Sequence, residues 1–148
     1  MPVRIFATVG VLVLASVTLV AHAAGTLDYE FYKAKIQPIF LAKRPGHAPC
    51  VMCHADAANM LHLEKLQAGQ TTWTEEQTRK NFDTVAKIVT ATDDPLTSKI
   101  LLHPLAPEAG GDAFHNGGRQ FENKNDPNWK LIAAWVKGAT LAPAKKQN

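Results

Sequence analysis

Two thiols and an imidazole stand within five residues, Cys50-Val51-Met52-Cys53-His54. Cys50 and Cys53 are the only cysteines in the chain. A disulfide between them closes so small a loop that it restrains little of the unfolded chain. Chemistry therefore explains the pair better than cross-linking does. Thiols three residues apart reach the two vinyl groups on one edge of a porphyrin as thioethers. The residue after the second thiol then lies beneath the ring. C-x-x-C-H is the signature of such covalent haem attachment, with His54 placing an imidazole nitrogen on the iron. Two other readings use the same residues. A thioredoxin-like redox pair requires a βαβ frame, and no segment here alternates as a strand. A zinc site requires further Cys or His at ligand spacing. His47 and His62 flank the motif without completing a Cys2His2 set.

The elements that must position these residues read as helices. Asp28 to Leu41 places Phe31, Ile36, Ile39 and Phe40 roughly on one face, with Asp28 as cap and Pro38 expected to kink or stop the helix. Residues 43–49, with two prolines and a glycine, form a loop that delivers the chain to Cys50. Residues 69–73 read as a turn. Thr74 and Gln77 form a capping box for a helix to Thr90, whose apolar face is Phe82, Val85, Ala86 and Val89. Asp94-Pro95 starts a short helix through Leu102. Residues 103–125 are irregular, a length usual for a functional or disordered loop. Asp126-Pro127 repeats the cap-plus-proline start, Trp129, Ile132, Trp135 and Val136 form a stripe, and Gly138 is the stop. The expected fold class is all-α.

The stretch FYKAKIQPIF from Phe31, the Cys50–His54 motif, Pro95 to Leu102, His115-Asn116-Gly117-Gly118, and Trp129 to Gly138 together resemble the monohaem c-type cytochrome domains of bacterial periplasmic proteins. The resemblance implies a small helical domain over residues 24–142, wrapped around one covalently attached haem c and its iron. It also implies that the first and last helices pack across each other beside the haem.

Domains of that family usually take a methionine from a loop ahead of the last helix as second axial ligand, and this chain departs from the pattern. Its methionines are Met1, Met52 and Met60. Met52 lies between the thioether cysteines, and Met60 is too near His54 for an easy reach around the ring. His115 is the first choice instead. It lies in the loop where the family draws this ligand, and Gly117 and Gly118 let the backbone approach a flat ring. His103, before Pro104, is the runner-up, and His62 and His47 come after. Histidine in place of methionine lowers the expected potential and closes the iron to small molecules. An open site would instead take up a diatomic gas or peroxide. Trp129, Trp135, Phe31, Tyr32, Phe40 and Phe82 are candidates for the haem wall or for ordinary core. Arg44, Arg119 and the indole N–H groups of Trp73, Trp129 and Trp135 are candidates for its propionates.

The start of the chain carries Arg4, an apolar run from Ile5 to Val20, and Ala21-His22-Ala23. That order is a signal peptide over residues 1–23, with export to the periplasm, and a retained membrane anchor is the alternative. Loss of Arg4 takes one from the formal charge of +3, and two haem propionates would bring the total to about zero. Charge therefore names no partner, and no basic cluster of the kind that binds nucleic acid is present. Residues 143–148 are expected to fray. No Ser/His/Asp set, carboxylate pair or phosphate loop stands out. The expected role is thus electron transfer between periplasmic or membrane redox partners by transient docking, with no enzymatic activity. Peripheral contact with a membrane stays open, as does the oligomeric state. A five-coordinate haem protein that binds a small molecule, and a haem subunit of a larger oxidoreductase, are the alternatives.

Overall fold

The computed structural model describes residues 26–141, so the expected signal peptide and the expected frayed tail lie outside the described residues. Six α-helices, one π turn and two 3-10 turns follow one another, and no strand occurs among the described residues. The chain is all-α, as its pattern implies.

The first helical stretch is composite. It begins with α1 (Tyr29–Phe31), widens into a π turn (Tyr32–Ile36) and closes as α2 (Gln37–Leu41). Asp28 caps it by accepting from the Phe31 amide at 2.5 Å. Pro38 neither stops nor breaks it. Proline lacks an N–H and its ring collides with the carbonyl four residues back. The wide turn takes in one extra residue just before that point, with the Gln37 amide donating to the Tyr32 carbonyl, and the helix runs on to Leu41. Tyr32 and Gln37 are buried by this widening, alongside the expected Ile36, Ile39 and Phe40.

Helix α3 is the C-x-x-C-H segment itself, Cys50–His54. Helix α4 (Glu75–Thr90) has the full Thr74/Gln77 capping box. It buries Val85, Ile88 and Val89 together with Thr78 and Asn81, while Phe82 and Ala86 are only half-buried. A 3-10 turn (Pro95–Thr97) leads into α5 (Lys99–Leu102), and α6 (Pro127–Val136) closes the fold. Helix α6 packs on the π turn. There the Trp135 indole donates to the Asp28 carbonyl at 2.8 Å and its ring lies 5.5 Å from that of Tyr32.

The long segment between α5 and α6 is neither regular nor loose. The Ala106 amide donates to Phe121, the Gln120 and Phe121 amides both donate to Pro104, and the Asp112 amide donates to Leu102. Gly111 passes so close to residue 105 that a Cβ there would stand 1.9 Å from the Leu105 carbonyl oxygen. Only glycine permits that approach. The segment is fastened to the end of α5 at several points before it reaches His115.

Candidate functional site

A cavity of about 550 Å³ opens between α3 and the segment that carries His115. Its floor is apolar, built from Ile39 and Phe40 of α2, Ile88 of α4, Ile100 of α5, Phe121 and Ile132 of α6. Each of the main helices thus contributes its buried face. Cys50, Cys53 and His54 stand on one wall, and His103, His115 and Gly117 on the other. The volume falls within the range of about 300–1,000 Å³ usual for cofactor sites.

His54 sits at the last position of α3. Its Nδ1 donates to the Leu61 carbonyl at 2.8 Å, with the Asn59 side-chain oxygen 3.3 Å away. The segment after α3 is brought back to this point by the Leu63 amide, which donates to the His54 carbonyl at 2.9 Å. With its proton held on Nδ1, the ring keeps a lone pair on Nε2, the arrangement typical of a metal-binding histidine. His115 has the same arrangement: its Nδ1 pairs with the Gly118 carbonyl at 2.5 Å. Burial, together with the neighbouring His103 and His54, holds its pKa below the usual histidine value, which favours the neutral ring that ligates. The two rings lie 6.2 Å apart, centre to centre, with planes 21° from parallel. No family model, curated protein or solved structure matches this chain.

His103 stands beside this pair. Its Nδ1 is 2.7 Å from Asp112 Oδ2, and its ring centre is 5.1 Å from that of His115 at 61°. His47 and His62 do not line the cavity; the His62 Nδ1 donates to Ala57 instead, at 3.2 Å. Among the described residues, no group of three or more His, Cys, Asp or Glu is placed to hold a metal ion unaided. The cysteines differ. Burial pushes the Cys50 thiol up to about 11, whereas Cys53 is exposed.

Several expected contacts go elsewhere. Arg44 pairs with Asp126 and Arg119 with Glu108. The indole N–H groups of Trp73, Trp129 and Trp135 donate to the carbonyls of Glu64, Leu101 and Asp28. None of these five lines the cavity. Among the described residues, Lys99 is the one Lys or Arg on the lining. Of the expected aromatic wall only Phe40 is present, with Phe121 as an unforeseen second member. Phe31, Tyr32, Phe82, Trp129 and Trp135 pack in or against the core away from the cavity. Met60 also lines the cavity, between the two residues that hold His54. A bound cofactor needs contacts made across the fold, and sequence spacing does not rank candidates for those.

Proposed function

We propose that the chain is an exported c-type cytochrome, carrying one haem on Cys50, Cys53 and His54 with His115 as second axial ligand, and that it passes one electron at a time between redox proteins. The observation that carries the reading is the pair of imidazoles at 6.2 Å across one wide apolar cavity. Two imidazoles that bind one metal from opposite sides, each through a nitrogen at about 2 Å, have ring centres about 6 Å apart. The two thiols stand on the wall beside His54, where covalent attachment through C-x-x-C-H requires them.

Bound there, the haem supplies a one-electron iron couple. The residues of the chain do the rest. Cys50 and Cys53 anchor the group through sulfur. The Leu61 and Gly118 carbonyls hold a proton on each Nδ1, so that both Nε2 atoms are available. Ile39, Phe40, Ile88, Ile100 and Ile132 keep water from the group, which raises its potential, while a second histidine lowers it relative to methionine. With His54 and His115 both bound to it, the iron would have no position left for a small molecule, which would suit a carrier and not an enzyme. Short-lived docking with redox partners in the periplasm, through a small interface of under about 1,200 Å², completes the reading.

Optical spectra with and without carbon monoxide test it. The chain produced in a host able to attach haem is expected to be coloured, heavier than its polypeptide by one haem, low-spin, and slow to take up carbon monoxide because a side-chain ligand must leave first. His115→Ala is expected to turn high-spin and bind carbon monoxide once reduced. A colourless product of polypeptide mass refutes the haem. A wild-type protein that is already high-spin and binds carbon monoxide as fast as His115→Ala refutes the closed site and favours a small-molecule binder.

A further inference from the structure

We propose that His103 is a positioning residue for His115, held in that role by Asp112, and is not itself an iron ligand. The proposal rests on the functional reading above and deepens it.

His103 follows directly on α5. Its Nδ1 donates to Asp112 Oδ2 at 2.7 Å, and Lys99, one turn earlier on the same helix, reaches that same oxygen with Nζ at 2.8 Å. The Asp112 amide adds a bond of 3.0 Å to the Leu102 carbonyl. Lys99 and His103 together hold the carboxyl below the usual aspartate range, so it stays charged and keeps both partners. Asp112 stands three residues before His115. One carboxylate therefore ties the His115 segment to α5 and fixes the His103 ring at the same place.

The His103 ring meets the His115 ring edge to face, at 5.1 Å and 61°. Two further contacts on His115 come from its own loop. Gly118 accepts from Nδ1, and Gly117 lies against the ring, where a Cβ would stand 3.5 Å from Cε1. His103 thus braces the His115 ring from outside the loop. The ring that lies near-parallel to His54 is that of His115. A ligand held by a fixed partner keeps its plane and leaves slowly, and loss of such a partner typically weakens metal binding by about 10–100-fold.

His103→Ala, Asp112→Ala and the double variant test this in the haem-loaded protein. Two readouts serve: the largest g-value of the oxidised iron, which follows the angle between the imidazole planes, and the rate at which the reduced protein takes up carbon monoxide, which is limited by departure of His115. All three variants are expected to stay low-spin, to shift the g-value, and to take up carbon monoxide about tenfold faster. The double variant is expected to be no faster than His103→Ala, because the two residues act in series. His103→Asn retains a side-chain N–H for Asp112 and provides a second variant if the alanine protein does not accumulate; it is expected to fall between wild type and alanine. Unchanged g-value and uptake rate in the His103 variants overturn the proposal. So does high-spin iron in His103→Ala with low-spin iron in His115→Ala, since His103 is then the ligand. Additive rates in the double variant remove Asp112 from the role. Absence of haem from the wild-type protein is a different result and refutes the functional reading itself.

Discussion

At the scale of single residues, the interior holds one hydroxyl that nothing answers. Tyr32 is fully buried among Phe40, Phe82 and Trp135, and its OH has no hydrogen-bond partner. Burial pushes its pKa far up, so the group stays neutral. A buried hydroxyl without a partner costs about 1–3 kcal/mol. Tyr32→Phe removes the oxygen and keeps the ring contacts. It is expected to stabilise the protein by about 1 kcal/mol, read as a higher denaturant midpoint at unchanged slope. A lower midpoint means that the OH has a partner after all, such as an ordered water. Asn81 is the contrasting case. Its Nδ2 is also unpartnered, but its Oδ1 accepts from the Glu64 amide at 2.7 Å. An apolar replacement there strands that amide and is expected to destabilise.

At the scale of elements, α6 depends on its cap. Ten residues are too few to stand as a helix in water without outside help. The Asp126 side chain accepts from the Asn128 and Trp129 amides at 2.8 and 3.3 Å and also pairs with the half-buried Arg44. Burial works to raise its pKa, but the Arg44 guanidinium and the two amides outweigh it, and the carboxyl lies below its ordinary value. Asp126→Ala is expected to cost about 1–2 kcal/mol at pH 7. A depressed carboxyl contributes stability above its unfolded value of about 3.9 and loses it as the pH falls through the lower folded value. The gap between wild type and variant is therefore expected to close below about pH 4. Thermal unfolding at pH 7 and at pH 3 measures it, and a gap of equal size at both places the effect outside the carboxylate. This cap was legible in Asp126-Pro127, as the capping box was in Thr74 and Gln77, because both are local. The π turn was not. Its wide bonds answer Pro38 and the burial of Tyr32 against α6, and neither the choice of a detour over a stop nor that packing is written within the segment.

At the scale of the whole molecule, Cys50-x-x-Cys53-His54 named one wall of the cavity, and the histidine before Gly117-Gly118 named the other. The 6.2 Å spacing of the two rings, the Leu61 carbonyl behind His54 and the Lys99–Asp112–His103 cluster were not legible. They join residues that meet only when the loops close. The cavity they frame has a consequence for stability. The helices that floor it line a space of about 550 Å³ with the buried residues Ile39, Phe40, Ile88, Ile100 and Ile132. At about 24 cal/mol per Å³ a sealed void of that size would cost on the order of 13 kcal/mol, as much as the roughly 5–15 kcal/mol that holds a whole domain. An open mouth that admits water lowers that figure. A body that filled the space would then be part of the core, and the folded state would depend on it by linkage. Cys50→Ser combined with Cys53→Ser would remove the proposed covalent attachment. The purified double variant, freed of residual haem, is expected to melt at least about 10 °C lower. It is also expected to bind a hydrophobic dye and to lose its near-ultraviolet circular dichroism while keeping helix signal, the marks of helices without fixed packing. If that variant instead melts with the temperature and cooperativity of the loaded protein, the cavity needs no filling and the haem is not what the helices are built around.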